Sequence, residues 1–169
     1  MSPTLALATS IAVLGGVDTY LTATALPIPV WVTFIAWASF FACGGGVPGL
    51  VKSVASNWTG IVIASLCLLV ISFAPESPVV AALSVGVGSG LMILAASAGF
   101  LGYPPAIVFG FASLVGTTQA TGHGVLDGDI THPTLVAGFS MLVGALFGIV
   151  SEMLAQALTQ RSTAPATVR

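Results

Sequence analysis

Few side chains in this sequence can do chemistry. Asp18 is the acid set deepest in an apolar run, within Gly-Val-Asp-Thr-Tyr. A carboxyl group there is expensive to bury, which makes it a functional candidate, for proton coupling above all; the alternative is a place near the outer interface, about eight residues before Leu26, where it would be wet. Asn57 is the second polar candidate, in an apolar setting where its amide needs partners; Asn57-Trp58-Thr59 matches a glycosylation sequon, a chance match there. Between Thr121 and His132 both histidines, His123 and His132, accompany Asp127 and Asp129. These four could be drawn as a metal site, but their irregular spacing reads as a polar loop, and no metal is expected. Nucleophile–base pairs, phosphate loops and cofactor fingerprints are absent, so neither an enzyme nor a cofactor is expected. Glu152 is a further acid that could couple to a proton.

The elements that must position these groups are apolar. Of 169 residues, 56% are hydrophobic and only 5% charged, with a mean hydropathy of +1.10. A soluble domain carries about a quarter charged residues. The chain therefore reads as an all-α integral membrane protein whose first partner is the lipid bilayer, in one domain over 1–160 with a short polar tail, 161–169. A net charge of −2 from so few groups points to no nucleic acid. Cys43 and Cys67 sit in or beside apolar segments and read as packing residues. The N-terminus lacks a basic start before its apolar run, so it reads as a retained first span and not as a cleaved signal.

A helix needs about 20 apolar residues to cross a bilayer. The stretches 3–26, 50–74, 79–101 and 133–158 meet that length, whereas 28–43 and 104–120 are shorter. This gives about six transmembrane or partly re-entrant helical segments. The two short ones share a pattern, Trp37-Ala38-Ser39-Phe40-Phe41 and Phe111-Ala112-Ser113-Leu114-Val115, at an offset of 74 residues (111 − 37). Prolines precede each. The sequence thus divides into two pseudo-repeated halves, about 3–74 and 79–158, inverted relative to one another if every segment crosses. Short, Gly/Pro-interrupted segments at matching places in two halves point to a solute site.

Aromatic residues gather in the first short segment at helical spacing, with Phe34, Trp37 and Phe41 as candidate pore-lining groups. They serve equally as lipid-facing belt residues. Gly86-x3-Gly90 and Gly144-x3-Gly148 have the spacing of close helix crossings, within one chain or in a homo-oligomer. With both ends in the cytoplasm, Lys52, Arg161 and Arg169 fall inside and Glu76, Asp127 and Asp129 outside, in keeping with the positive-inside rule.

The run FIAWASFFACGGGVPGLVKSVASNWTGIV resembles the YcdZ-type bacterial inner-membrane proteins, a family of unknown function. That resemblance implies a multi-pass protein of the bacterial inner membrane. A fainter similarity is to one half of the urea transporters, through Ala120-Thr121-Gly122-His123 and, loosely, Asn57 and Gly60. It implies a pore lined near Phe109 and Phe111 with Thr117, Thr118 and Gln119 at the polar end, and self-association of a half-sized chain. The leading expectation is a channel or facilitator for a small neutral polar solute, urea-like. The alternatives are a non-transporting assembly subunit and a proton-coupled transporter of a small solute.

Overall fold

A computed structural model describes residues 1–161 and shows six α-helices, with no strand among the described residues. The helices are α1 (Pro3–Thr24), α2 (Val30–Ala42), α3 (Gly46–Ser72), α4 (Pro78–Ala96), α5 (Pro104–Thr121) and α6 (Pro133–Arg161), with a single 3-10 turn at Gly99–Leu101 before α5. Each expected segment is a helix, with ends shifted by a few residues. The polar tail beyond Arg161 lies outside the described residues. Helices α1, α3, α4 and α6 are long and apolar enough to cross a membrane.

Local sequence sets the helix ends. Proline occupies the first turn of α1, α4 and α5, where its missing N–H costs nothing. Ser2 and Ser77 accept the backbone N–H groups of Leu5 and Val80, both at 3.3 Å. Helix α5 stops at Gly122, whose φ of 73° places it in the left-handed region. Thirteen residues make α2 about 20 Å long at 1.5 Å per residue, well short of a hydrocarbon core of about 30 Å. Its end is forced by Gly44, Gly45 and Gly46, with φ of 103°, 69° and 60°.

The packing repeats between the halves. Helix α3 lies along α5 as α6 lies along α2, and α4 packs on α3 as α1 packs on α6. Individual contacts follow the same rule. Ser10 Oγ donates to Ser151 O at 2.7 Å, and Ser84 Oγ to Cys67 O at 3.1 Å. Ser84 follows Ser10 by 74 residues (84 − 10), whereas Ser151 follows Cys67 by 84 (151 − 67). The same two offsets relate the closest crossings: Gly60 meets the backbone of Ile107, and Gly144 meets that of Thr33. The extra ten residues lie between the matching parts of α5 and α6, in a longer end of α5 and the loop after it, where the first half has only its three-residue glycine turn. Ser65 of α3 reaches Thr134 of α6 at 3.0 Å while Trp58 packs against Gly138, so these two matching helices run antiparallel. The halves are therefore inverted.

Side chains at the crossings form one apolar core, including Val32, Ala36, Ile61, Ile107, Leu114 and Met141. Of the two glycine pairs, Gly144 and Gly148 sit inside it. A Cβ at Gly148 would lie 2.6 Å from Phe40 Cδ1, so only glycine lets α6 approach α2 so closely. Gly86 and Gly90 have open space around them, so as a packing motif within the chain this pair is corrected: α4 turns it outward.

Candidate functional site

The polar groups are distributed along the inner faces of the bundle. Ser39 of α2 donates to Asn57 Oδ1 of α3 at 2.9 Å, and both side chains are fully buried. Asn57 Nδ2 has no partner; nor do Ser56 Oγ and Ser113 Oγ, all buried. The Ser39–Asn57 pair departs from the repeat. Ser113 is the counterpart of Ser39, but the counterpart of Asn57, 84 residues on, is Met141, which offers no comparable hydrogen bond. One half thus carries a polar pair, whereas in the other the serine hydroxyl has no partner.

The aromatic candidates do not converge on one path. Trp37 is buried, and its Nε1 donates to Ser151 Oγ at 3.0 Å, which in turn donates to Gly148 O at 2.7 Å. Its ring lies between those of Phe34 and Phe147, with centroids 5.8 and 5.7 Å away. Phe34 is itself exposed on the bundle surface, and Phe41 is half-buried. In the second half Phe111 is buried beside Gly88 of α4, and Phe109 is half-buried. Thr117 is buried, with its hydroxyl bonded to Ser113 O at 2.7 Å. Thr118 is half-buried and Gln119 exposed.

Asp18 is fully buried, and its Oδ2 pairs with Thr33 Oγ1 of α2. Its other oxygen, Oδ1, has no partner. One turn along α1, Thr22 donates to Asp18 O at 2.9 Å and faces a mouth cavity of about 520 Å³. That cavity is also lined by Pro29, Thr121, His123 and Thr131, from the ends of α1, α2 and α5 and from the α5–α6 loop.

In the loop the four candidate ligands do not converge on one point. His123 Nδ1 pairs with Asp127 Oδ2 at 3.1 Å. Thr131 donates its hydroxyl at 2.5 Å and its N–H at 2.8 Å to Asp129 Oδ1, and these bonds hold that carboxyl below its usual range. His132 lies 3.2 Å from Val125 O. No cluster of three His, Cys, Asp or Glu residues forms among the described residues.

At the opposite end of the bundle Glu152 of α6 reaches the glycine turn. Its Oε2 accepts the Gly46 N–H at 2.6 Å, placing a carboxylate on the N-terminus of α3. The sequence offered no local sign of this contact, because the two residues lie 106 apart. Ser39–Asn57 and Trp37–Ser151 were equally invisible, although the buried setting of Asn57 signalled that some partner was needed.

Together the apolar helices and the buried, uncharged polar groups define a multi-pass helical membrane protein. Residues 8–156 match the model of a family described as a protein of unknown function, DUF1097, and the chain belongs to that family. No curated protein and no solved structure matched it, so the likeness to urea transporters rests on its short motif alone.

Proposed function

We propose that the protein is a channel or facilitator for a small neutral polar solute, urea-like in size and hydrogen bonding, in the bacterial inner membrane. The observation that carries this reading is the set of buried polar atoms without partners, Asn57 Nδ2, Ser56 Oγ and Ser113 Oγ, inside a bundle of inverted halves. Each such atom costs roughly 1–3 kcal/mol unless something bonds to it. A guest able both to donate and to accept hydrogen bonds meets that need, and inverted repeats favour such a site near mid-membrane. The shortage of charge fits as well, since neither an anion nor a cation would find a counter-charge there.

On this reading Trp37, whose indole is bonded to Ser151 of α6, closes the path. Passage requires that contact to move. The test is solute flux into liposomes carrying the purified protein, read by light scattering in a urea gradient. Re-swelling several-fold faster than in empty liposomes is expected, and Asn57→Leu should remove most of the difference. Equal rates with correctly folded protein would eliminate urea as the solute.

A second reading, a membrane assembly subunit, draws on the open glycines of α4. Gly86 and Gly90 have nothing near them within the chain, so a helix of a second copy could approach there. Unchanged particle size for Gly90→Leu in detergent, with a wild-type oligomer as reference, would dismiss it.

A further inference from the structure

We propose that Asp18 is a proton-binding site, a neutral carboxylic acid whose own hydroxyl donates to Thr33. The argument starts from the hydrogen count at Thr33. Its Oγ1 lies 2.7 Å from Val30 O and is also paired with Asp18 Oδ2. A threonine hydroxyl has one hydrogen, and a backbone carbonyl has none to give. With that hydrogen directed to Val30 O, the hydrogen in the second contact must come from Asp18. A carboxylate would instead set two acceptors against a single donor.

The surroundings lead to the same assignment independently. Asp18 is completely buried, and its Oδ1 has no partner. Among the described residues no cation pairs with it, and the sole ion pair is His123–Asp127 in the loop. An unpaired buried carboxylate is far more costly than a neutral acid in the same place. The titratable groups on the elements around it are few. Helix α2 has none, and α1 adds Tyr20, which is exposed. On α6 Glu152 occupies the glycine turn at the far end of the bundle, and Arg161 is the last residue of the helix beyond it. From the α5–α6 loop His123 lines the mouth cavity beside Thr22, one turn from Asp18, while Asp127, Asp129 and His132 are engaged within the loop.

The ligand of this site is thus a proton, and the mouth cavity is its route to water. Loss of the proton would leave Thr33 with one hydrogen for two acceptors, so α1 and α2 would have to part or admit water. This holds whichever solute crosses, and its test does not depend on flux. Infrared spectra of the reconstituted protein at neutral pH should show the carbonyl band of a protonated carboxylic acid. The band should shift in protein carrying 13C-labelled aspartate, shift again in D2O, and survive in Asp127→Asn/Asp129→Asn and in Glu152→Gln, whose substitutions leave Asp18 untouched. Thr33→Val should move it to higher frequency, because the acid then lacks its acceptor. Absence of the band from wild type, its loss in Glu152→Gln, or its indifference to D2O would each overturn the proposal.

Discussion

At the scale of single residues, the bundle is held by polar groups that pair across distant parts of the chain. Ser39 and Asn57 show what such a pair is worth. Removing the serine hydroxyl leaves Asn57 Oδ1 buried without a donor, in addition to an Nδ2 that already lacks an acceptor. Ser39→Ala should therefore destabilise the protein by about 1–3 kcal/mol, read as a lower melting temperature in detergent. Ser113→Ala removes a hydroxyl that has no partner, and should be neutral or stabilising. A larger loss at Ser113 than at Ser39 would mean that Ser113 is the one bonded, to a guest such as water or solute. Of these groups the sequence disclosed Asp18 and Asn57, because a polar residue within an apolar run is visible without a fold. The serines were not distinguishable from ordinary small residues, since burial and partner are set by which helix face turns inward.

At the scale of helices, composition and length disclosed nearly everything about existence and little about orientation. All six segments are helices because each is an apolar run bounded by proline, glycine or polar residues. The two glycine pairs show the limit. Gly86-x3-Gly90 and Gly144-x3-Gly148 are identical as spacings, yet one faces outward and the other grips α2. Spacing establishes that two glycines share a helix face; it does not establish what lies opposite. The difference makes a paired prediction. Gly148→Leu would force a branched side chain into Phe40 and should cost at least the roughly 1–3 kcal/mol of an overpacked core. Gly90→Leu adds apolar surface to open space and should leave the melting temperature of the monomer unchanged. Equal losses for both variants in monomeric protein would contradict the packing of α4 described here.

At the scale of the whole molecule, the inverted halves fix which ends lie together. Helix α2 returns antiparallel to α1: Asp18 meets Thr33 near the end of one and the start of the other, and further along both helices Ser10 and Trp37 reach Ser151. The start of α1, the glycine turn before Lys52 and the end of α6 therefore share one end of the bundle, and the α5–α6 loop with Asp127 lies at the other. The repeated pentapeptide hinted at this arrangement, but the different offsets of 74 and 84 blurred it, because the second half has a longer α5 and an eleven-residue polar loop where the first half has a three-residue glycine turn. If the bundle spans the membrane with its basic end in the cytoplasm, as the charges of Lys52 and Arg161 favour, single cysteines at Ser2 and Lys52 should be shielded from an impermeant thiol reagent in intact cells. A cysteine at Asp127 should react, with Cys43 and Cys67 replaced beforehand by serine and alanine so that only the introduced thiols are read. The reverse pattern would keep the fold and invert its placement. Reaction at Lys52 and Asp127 from the same side would be fatal to the spanning arrangement, since α3 and α6 start at opposite ends of the bundle and one face of a bilayer cannot expose both.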